Sequence, residues 1–244
     1  MIEYELRDDA VAWITLERPE KRNSLTLYGM RRIVDSLGRA EDEAAVAVLT
    51  GNEDIFCAGG DLTEVDSVET EEEADEFAAT VIDLFRSVEG AEIPVVGAVN
   101  GDAYGAGFET VIACDLAVAA ENSMLGLPET RIGLYPPYPV ERLSDNVGRK
   151  RQMELVLTGE PISAEKALDW GLVNRVVPAE SLDSAVNELI SPIVSASDES
   201  VRRLKRHAVD RMVNDDERDR MVETLSHLLR TDEARERVDR AVND

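Results

Sequence analysis

Two glutamates stand in otherwise apolar stretches of this chain. Glu109 closes the run NGDAYGAGFE (100–109), and Glu129 closes GLPE (126–129). A carboxyl group in apolar surroundings holds its proton more tightly than usual and can serve as general acid or base near neutral pH. A third segment, FCAGGDL (56–62), shares the glycine-rich character of the 100–109 run. Glycine lets the backbone come close to a ligand. Two such turns facing each other can aim N–H groups at one oxygen and stabilise an oxyanion without a metal. The chemistry suggested is proton transfer beside a polarised carbonyl.

Other common site patterns are missing. The sequence has no G-x-x-x-x-G-K-[ST] phosphate loop and no G-x-S-x-G nucleophile elbow. Gly101, Gly105 and Gly107 do not have the spacing of a dinucleotide fingerprint. His207 and His227 lie twenty positions apart in a charged C-terminal stretch, whereas a metal site needs clustered ligands. They read as solvated surface residues, and no metal is expected. A serine–histidine triad has no evident base.

The elements that must carry these segments alternate. Residues 2–6 and 11–17 pattern as a strand hairpin, and 18–24 as a loop. Thr26 is placed to cap a helix running to about 43. Residues 45–51 and 93–101 read as buried strands, with a helix over 71–90 whose Phe77, Val81, Leu84 and Val88 repeat at helical spacing. A helix near 106–113 and a strand near 115–120 follow. Strands alternating with helices predict an α/β core with parallel strands. Beyond Pro178 the chain is helical and charged. A boundary is expected near Pro192, giving a core over 1–192 and a helical region over 193–244.

Taken in order, RPEKRNSL (18–25), FCAGGDL, the 100–109 segment, GLPETRIGL (126–134) and LTGEPISAEKALDWGLVNRVVP (157–178) resemble the crotonase, or enoyl-CoA hydratase/isomerase, family. The resemblance implies a spiral of ββα units with a helical C-terminal region used in trimer formation. It also implies an acyl-CoA thioester as substrate, a homotrimer or dimer of trimers, and no cofactor beyond the CoA of the substrate itself. Residue by residue, Gly60 and Ala106 match the two oxyanion-hole positions, the second usually glycine in the family. Glu109 and Glu129 match the paired glutamates of the true hydratases. On that reading Glu109 is the ionised base that activates water and Glu129 the protonated acid, although such a pair titrates as a unit and the labels can exchange. The resemblance also places the backbone around Ala58, Asp61 and Leu62 against the adenine, and Lys21 and Arg22 near the CoA phosphates. Ser24 and Asp61 serve equally well as turn formers or caps, and Lys21 and Arg22 as members of a generic charged loop.

The chain departs from the family in two places. YPPYPVERL (135–143) replaces a glycine-rich stretch beside the acyl pocket, so Tyr135 and Tyr138 either line that pocket or pack behind it. The tail ends in RAVND, without the aromatic and basic finish that in relatives often reaches a neighbouring subunit. The implied activity is hydration of a 2-enoyl-CoA. The rivals are an enoyl-CoA isomerase and a non-catalytic acyl-CoA-binding or RNA-associated relative.

Composition sets the surroundings. Forty-three per cent of the 244 residues are apolar, enough for a substantial core. The acidic start, MIEYELRDD, lacks the pattern of a signal peptide, and no apolar stretch is long enough to span a membrane. Cys57 and Cys114 lie in apolar segments, as reduced thiols do in a cytoplasm. The formal charge is −25, and only Lys21, Lys150, Lys166 and Lys205 are lysines. This charge opposes nucleic-acid binding. It resembles the composition of proteins from salt-accumulating halophiles, whose surfaces stay hydrated while salt screens their self-repulsion. The melting temperature is therefore expected to rise from dilute buffer to molar salt; an unchanged value in a thermal scan would contradict a screened acidic surface.

Overall fold

The computed structural model describes residues 1–7, 10–209 and 215–243. In it the N-terminal alternation becomes an antiparallel pair, β1 (Ile2–Arg7) and β2 (Val11–Leu16). Three further strand pairs follow: β3 (Val46–Gly51) with β4 (Ile55–Cys57), β5 (Val95–Val99) with β6 (Asp102–Tyr104), and β7 (Leu116–Ala120) with β8 (Met124–Gly126). The first strand of each pair joins a large sheet and the second a small one. β9 (Ile162–Ser163) closes the small sheet, order β4-β6-β8-β9, and β10 (Arg175–Val177) closes the large one, order β1-β2-β3-β5-β7-β10. From β2 to β10 the large sheet is parallel, as are β4, β6 and β8. This is the expected α/β spiral of ββα units.

The helices are α1 (Leu27–Glu43), α2 (Leu62–Asp66), α3 (Glu71–Gly90), α4 (Ala106–Ala113), α5 (Pro137–Val147), α6 (Arg149–Thr158), α7 (Ala164–Trp170), α8 (Leu182–Val194), α9 (Asp198–Val209), α10 (Asp215–Leu229) and α11 (Asp232–Asn243). Thr26 caps α1 as expected, accepting from the Gly29 N–H. Thr70 and Glu73 form a reciprocal capping box on α3. The predicted stripe Phe77, Val81, Leu84 and Val88 is buried. Each such side chain contributes roughly 1.5–3 kcal/mol by leaving water.

The large sheet is covered on both faces, which is why β3 and β5 read as continuous apolar runs. Ala47 and Leu49 face the main core with α1 and α3, while Val46 and Val48 pack with Val186 and Ile190 of α8. The small sheet escapes sequence reading because β4, β6 and β8 have three residues each, too few for a periodic signal.

Pro192 falls inside α8, which runs on to Val194, so the chain crosses the expected boundary as helix. After α8, α9 is anchored by Lys205, buried and paired with Asp115, and by Arg202, which donates to the carbonyls of Glu41 and Ala44. α10 lies on α3 through Arg218–Asp83 and Arg86–Asp215 pairs. α11 packs by Ala234 against Gly133, where an added Cβ would stand 2.8 Å from the Ala234 Cα. The helical region thus folds back over its own core. Both histidines are exposed, and both cysteines are free thiols, Cys57 buried and Cys114 half-buried.

One close approach fixes α4 against β4. A Cβ at Gly107 would meet the Cys57 carbonyl oxygen at 2.6 Å and its Cβ at 2.7 Å. Gly107→Ala is expected to lower stability by about 1–3 kcal/mol in a urea titration and to weaken activity by moving Ala106; a variant as stable as the parent would show that α4 can slide on β4.

Candidate active site

The small sheet aligns its three parallel strands so that Cys57 pairs with Ala103 and Ala103 with Leu125. The candidate residues all lie just beyond the C-terminal ends of these strands: Gly60 after β4, Ala106 and Glu109 after β6, Glu129 after β8. Ligands in parallel α/β sheets bind at this edge.

The turn after β4 is held by the 18–25 loop. Ala58 N–H donates to Arg22 O, Leu25 N–H to Gly59 O and Asp61 N–H to Leu25 O, at 2.8–3.0 Å. Because the bonds to Leu25 use the groups of residues 59 and 61, the N–H of Gly60 points to the opposite side, into the cavity. The turn after β6 comes up against it. Gly105 takes φ +52°, a conformation that favours glycine. A Cβ there would stand 3.7 Å from Gly59 Cα and 3.1 Å from Glu129 Oε1. Gly105 N–H is spent on Gly126 O, and Glu109 N–H on Gly105 O. Ala106 opens α4, so its own N–H is one of the donors a helix leaves free. Among the described residues neither the Gly60 nor the Ala106 N–H has a protein acceptor.

Glu109 is 2 % exposed, although it lies in the first turn of α4. Its Oε2 accepts from the Tyr138 N–H at 3.1 Å. Glu129 begins a 3-10 turn, Glu129–Ile132; both its carboxyl oxygens are buried and, among the described residues, have no hydrogen-bond donor. A buried polar group left so costs free energy and calls for a functional reason. Burial pushes Glu129 up to about 7. Burial first, then the charge of Glu129, raises Glu109 well above the usual carboxyl range, outweighing the Tyr138 N–H, which favours its ionised form. Burial therefore favours protonated carboxyls in this pair near neutral pH. The two carboxyls titrate as one coupled pair, so the acid and base labels stay exchangeable.

These groups open on a cavity of about 320 Å³, lined near the chemistry by Ala58, Gly60, Leu62, Ala106, Glu109 and Glu129. Met30, Val65, Phe77, Val81 and Leu225, the last from α10, give it apolar walls. Tyr135 also lines it and ties its hydroxyl to Met221 O. Tyr138 instead packs in the core, its ring 5.6 Å from that of Phe85. The prolines of the YPPYP stretch fall in the first turn of α5, where a missing N–H costs nothing.

Other expected residues lie outside the cavity lining. Lys21 and Arg22 are exposed in the adjoining loop, Arg22 standing 3.8 Å from Asp102. Ser24 accepts from Arg18 through both its carbonyl and its hydroxyl. Asp61 is buried and caps α2 through the Thr63 N–H. Sequence reading missed Arg18, Leu225 and the Tyr138 amide. Arg18 stood in a quoted motif, but its partner Asp61 is 43 positions away. Among the described residues no cluster of three metal-type ligands occurs, and no helix is long and apolar enough to cross a membrane.

Two free backbone amides and a buried carboxyl pair thus face one cavity on a ββα spiral. The sequence model for enoyl-CoA hydratase/isomerase matches residues 7–240, and the chain belongs to this family. It is 34% identical over 221 residues to a crotonyl-CoA hydratase of Syntrophomonas wolfei, covering 89% of this chain and 85% of that one. It is 33% identical over 193 residues to the rat mitochondrial enoyl-CoA hydratase domain-containing protein 3, covering 78% of this chain and 64% of the rat protein. An enoyl-CoA hydratase structure from Mycobacterium avium subsp. paratuberculosis superposes with a TM-score of 0.88 at 28% identity, over 98% and 97% of the two chains.

The carboxyl pair has a stability consequence. A carboxyl whose affinity rises from 4.5 unfolded to about 7 folded binds more proton in the folded state between those values, so its contribution to stability is lost as pH rises through that window. Glu129→Gln is expected to flatten the fall in melting temperature between pH 5 and pH 8 relative to the parent; an equal fall in both would mean the carboxyl is not protonated in the folded protein.

Proposed function

We propose that the chain adds water reversibly across the double bond of a 2-enoyl-CoA thioester. The thioester carbonyl oxygen accepts from the N–H groups of Gly60 and Ala106. Polarisation makes C3 electrophilic. The ionised member of the carboxyl pair takes a proton from water as the water oxygen bonds to C3, and electrons move onto the carbonyl oxygen. The protonated member then delivers its proton to C2, so the pair ends with the single proton it began with. Each oxyanion donor is worth roughly 3–4 kcal/mol in the transition state. The step is redox-neutral and consumes only water, so it calls for no cofactor beyond the CoA that the substrate carries. The observation that supports the reading best is the buried Glu129 carboxyl, without a protein donor, beside Glu109 in one cavity.

The surroundings fit. Ala58 and Leu62 line the cavity, consistent with the adenine contact the family resemblance implies, and Lys21 and Arg22 stand exposed in the adjoining loop, available to the CoA phosphates. The chain works as a homotrimer or dimer of trimers in a salt-rich cytoplasm, in fatty acid metabolism, without nucleic acid or membrane partners.

Incubation with crotonyl-CoA in molar salt should give 3-hydroxybutyryl-CoA, with a rate that rises through about pH 7 as the doubly protonated pair loses one proton. Glu109→Gln and Glu129→Gln should each lower kcat by about two to four orders of magnitude. Light scattering on the same sample should weigh three or six chains. Conversion of a 3-enoyl-CoA to the 2-enoyl-CoA without hydration would make it an isomerase, and CoA binding without turnover a non-catalytic relative.

A further inference from the structure

We propose that Arg18 is a positioning residue for this reaction: its guanidinium cancels the charge of Asp61, which follows Gly60 in the chain, and so keeps a carboxylate from opposing the negative charge that gathers on the substrate's carbonyl oxygen. The inference rests on the hydratase reading above and adds a role for a residue outside the cavity lining.

Asp61 is an unusual neighbour for an oxyanion site. Its side chain is 6 % exposed, and it belongs to the residue whose amide is one peptide unit from that of Gly60. It cannot turn away. Oδ1 accepts from the Thr63 N–H at 2.9 Å and from the Thr63 hydroxyl at 2.5 Å, while the Asp61 N–H is bound to Leu25 O. Burial would raise its proton affinity, but the Thr63 and Arg18 hydrogen bonds outweigh burial and hold it below the usual value, so it is ionised at neutral pH. A fixed, buried negative charge here resists formation of a second one nearby.

Arg18 answers that charge directly. Its Nη1 lies 2.5 Å from Asp61 Oδ2, and the same nitrogen reaches Ser24 O and Oγ at 3.3 Å. Among the described residues Arg18 is the one cation paired with Asp61; Arg22 stands by Asp102 and Lys21 points to solvent. The guanidinium therefore both neutralises Asp61 and ties the 18–25 loop to the turn that presents the Gly60 N–H. A purely structural role would account for the tie but not for a dependence on charge.

The test is a charge-removal cycle read on crotonyl-CoA. R18Q should lose about tenfold to a hundredfold in kcat, less than a full oxyanion donor is worth, with KM changed far less. The double variant R18Q/D61N, which removes the opposing charge as well, should recover at least about tenfold over R18Q. R18K, which keeps the charge, should stay within about tenfold of the parent and carries the test should R18Q fail to fold. A conjugated dienoyl-CoA, whose absorbance moves to the red when its carbonyl is polarised, separates the two layers of the argument. No shift in the parent enzyme removes the oxyanion-hole reading itself. A full shift in R18Q, a double variant no faster than R18Q, or R18K as slow as R18Q overturns the role of Arg18 and leaves the hydratase reading intact.

Discussion

Register in the small sheet fixes where three distant chain segments end. Cys57, Ala103 and Leu125 lie side by side, and parallel strands present their C-terminal ends on one edge. Beyond that edge the chain needs only three or four residues to reach Gly60, Ala106 and Glu129. The close approaches that maintain this register are backbone against backbone. Gly107 meets the Cys57 carbonyl, and a Cβ on Gly59 would stand 3.0 Å from the Tyr104 carbonyl oxygen. A shift of one residue in any strand would turn an amide or a carboxyl out of the cavity. The large sheet and the helices on its faces supply the rigidity that makes such tolerances possible.

Electrostatics divides the molecule in two. The surface carries a formal charge of −25, a load that salt can screen because it faces water. The interior cannot use screening, and each buried acid is handled separately. Glu89 pairs with Arg142, which also meets Glu217, and Asp61 pairs with Arg18. Among the described residues Glu109 and Glu129 are paired with no cation, and burial raises the proton affinity of both. Hydrogen bonds from Thr63 and Arg18 hold Asp61 below the usual carboxyl range, whereas burial raises Glu109 and Glu129 above it. The arrangement sacrifices stability above neutral pH for a group able to move protons.

The C-terminal helices matter to the site as well as to the fold. α10 supplies Leu225 to the apolar walls of the cavity, and its Met221 carbonyl receives the Tyr135 hydroxyl. The stretch YPPYPVERL, which departs from the family pattern, therefore joins two structural jobs: Tyr135 braces the wall while Tyr138 fills the core and offers its amide to Glu109.

Much was legible in the sequence because it was local. The Thr26 cap, the stripe along α3 and the buried strands β3 and β5 each declare themselves within one element, by side-chain periodicity or a single hydrogen bond. The two glutamates and two glycine-rich turns were visible as residue types in unusual company. What remained hidden depended on pairing between distant positions. Three-residue strands carry no pattern of their own and exist only because neighbours complete their hydrogen bonds. Arg18 reads as a loop cation until the fold brings Asp61 to it. Pro192 reads as a boundary, yet the chain continues past it as helix because α8 is held on the sheet by Leu182, Val186 and Ile190. The raised proton affinity of Glu109 and Glu129 was decided by enclosure, a property of the assembled walls around a carboxyl and of nothing adjacent to it in the chain.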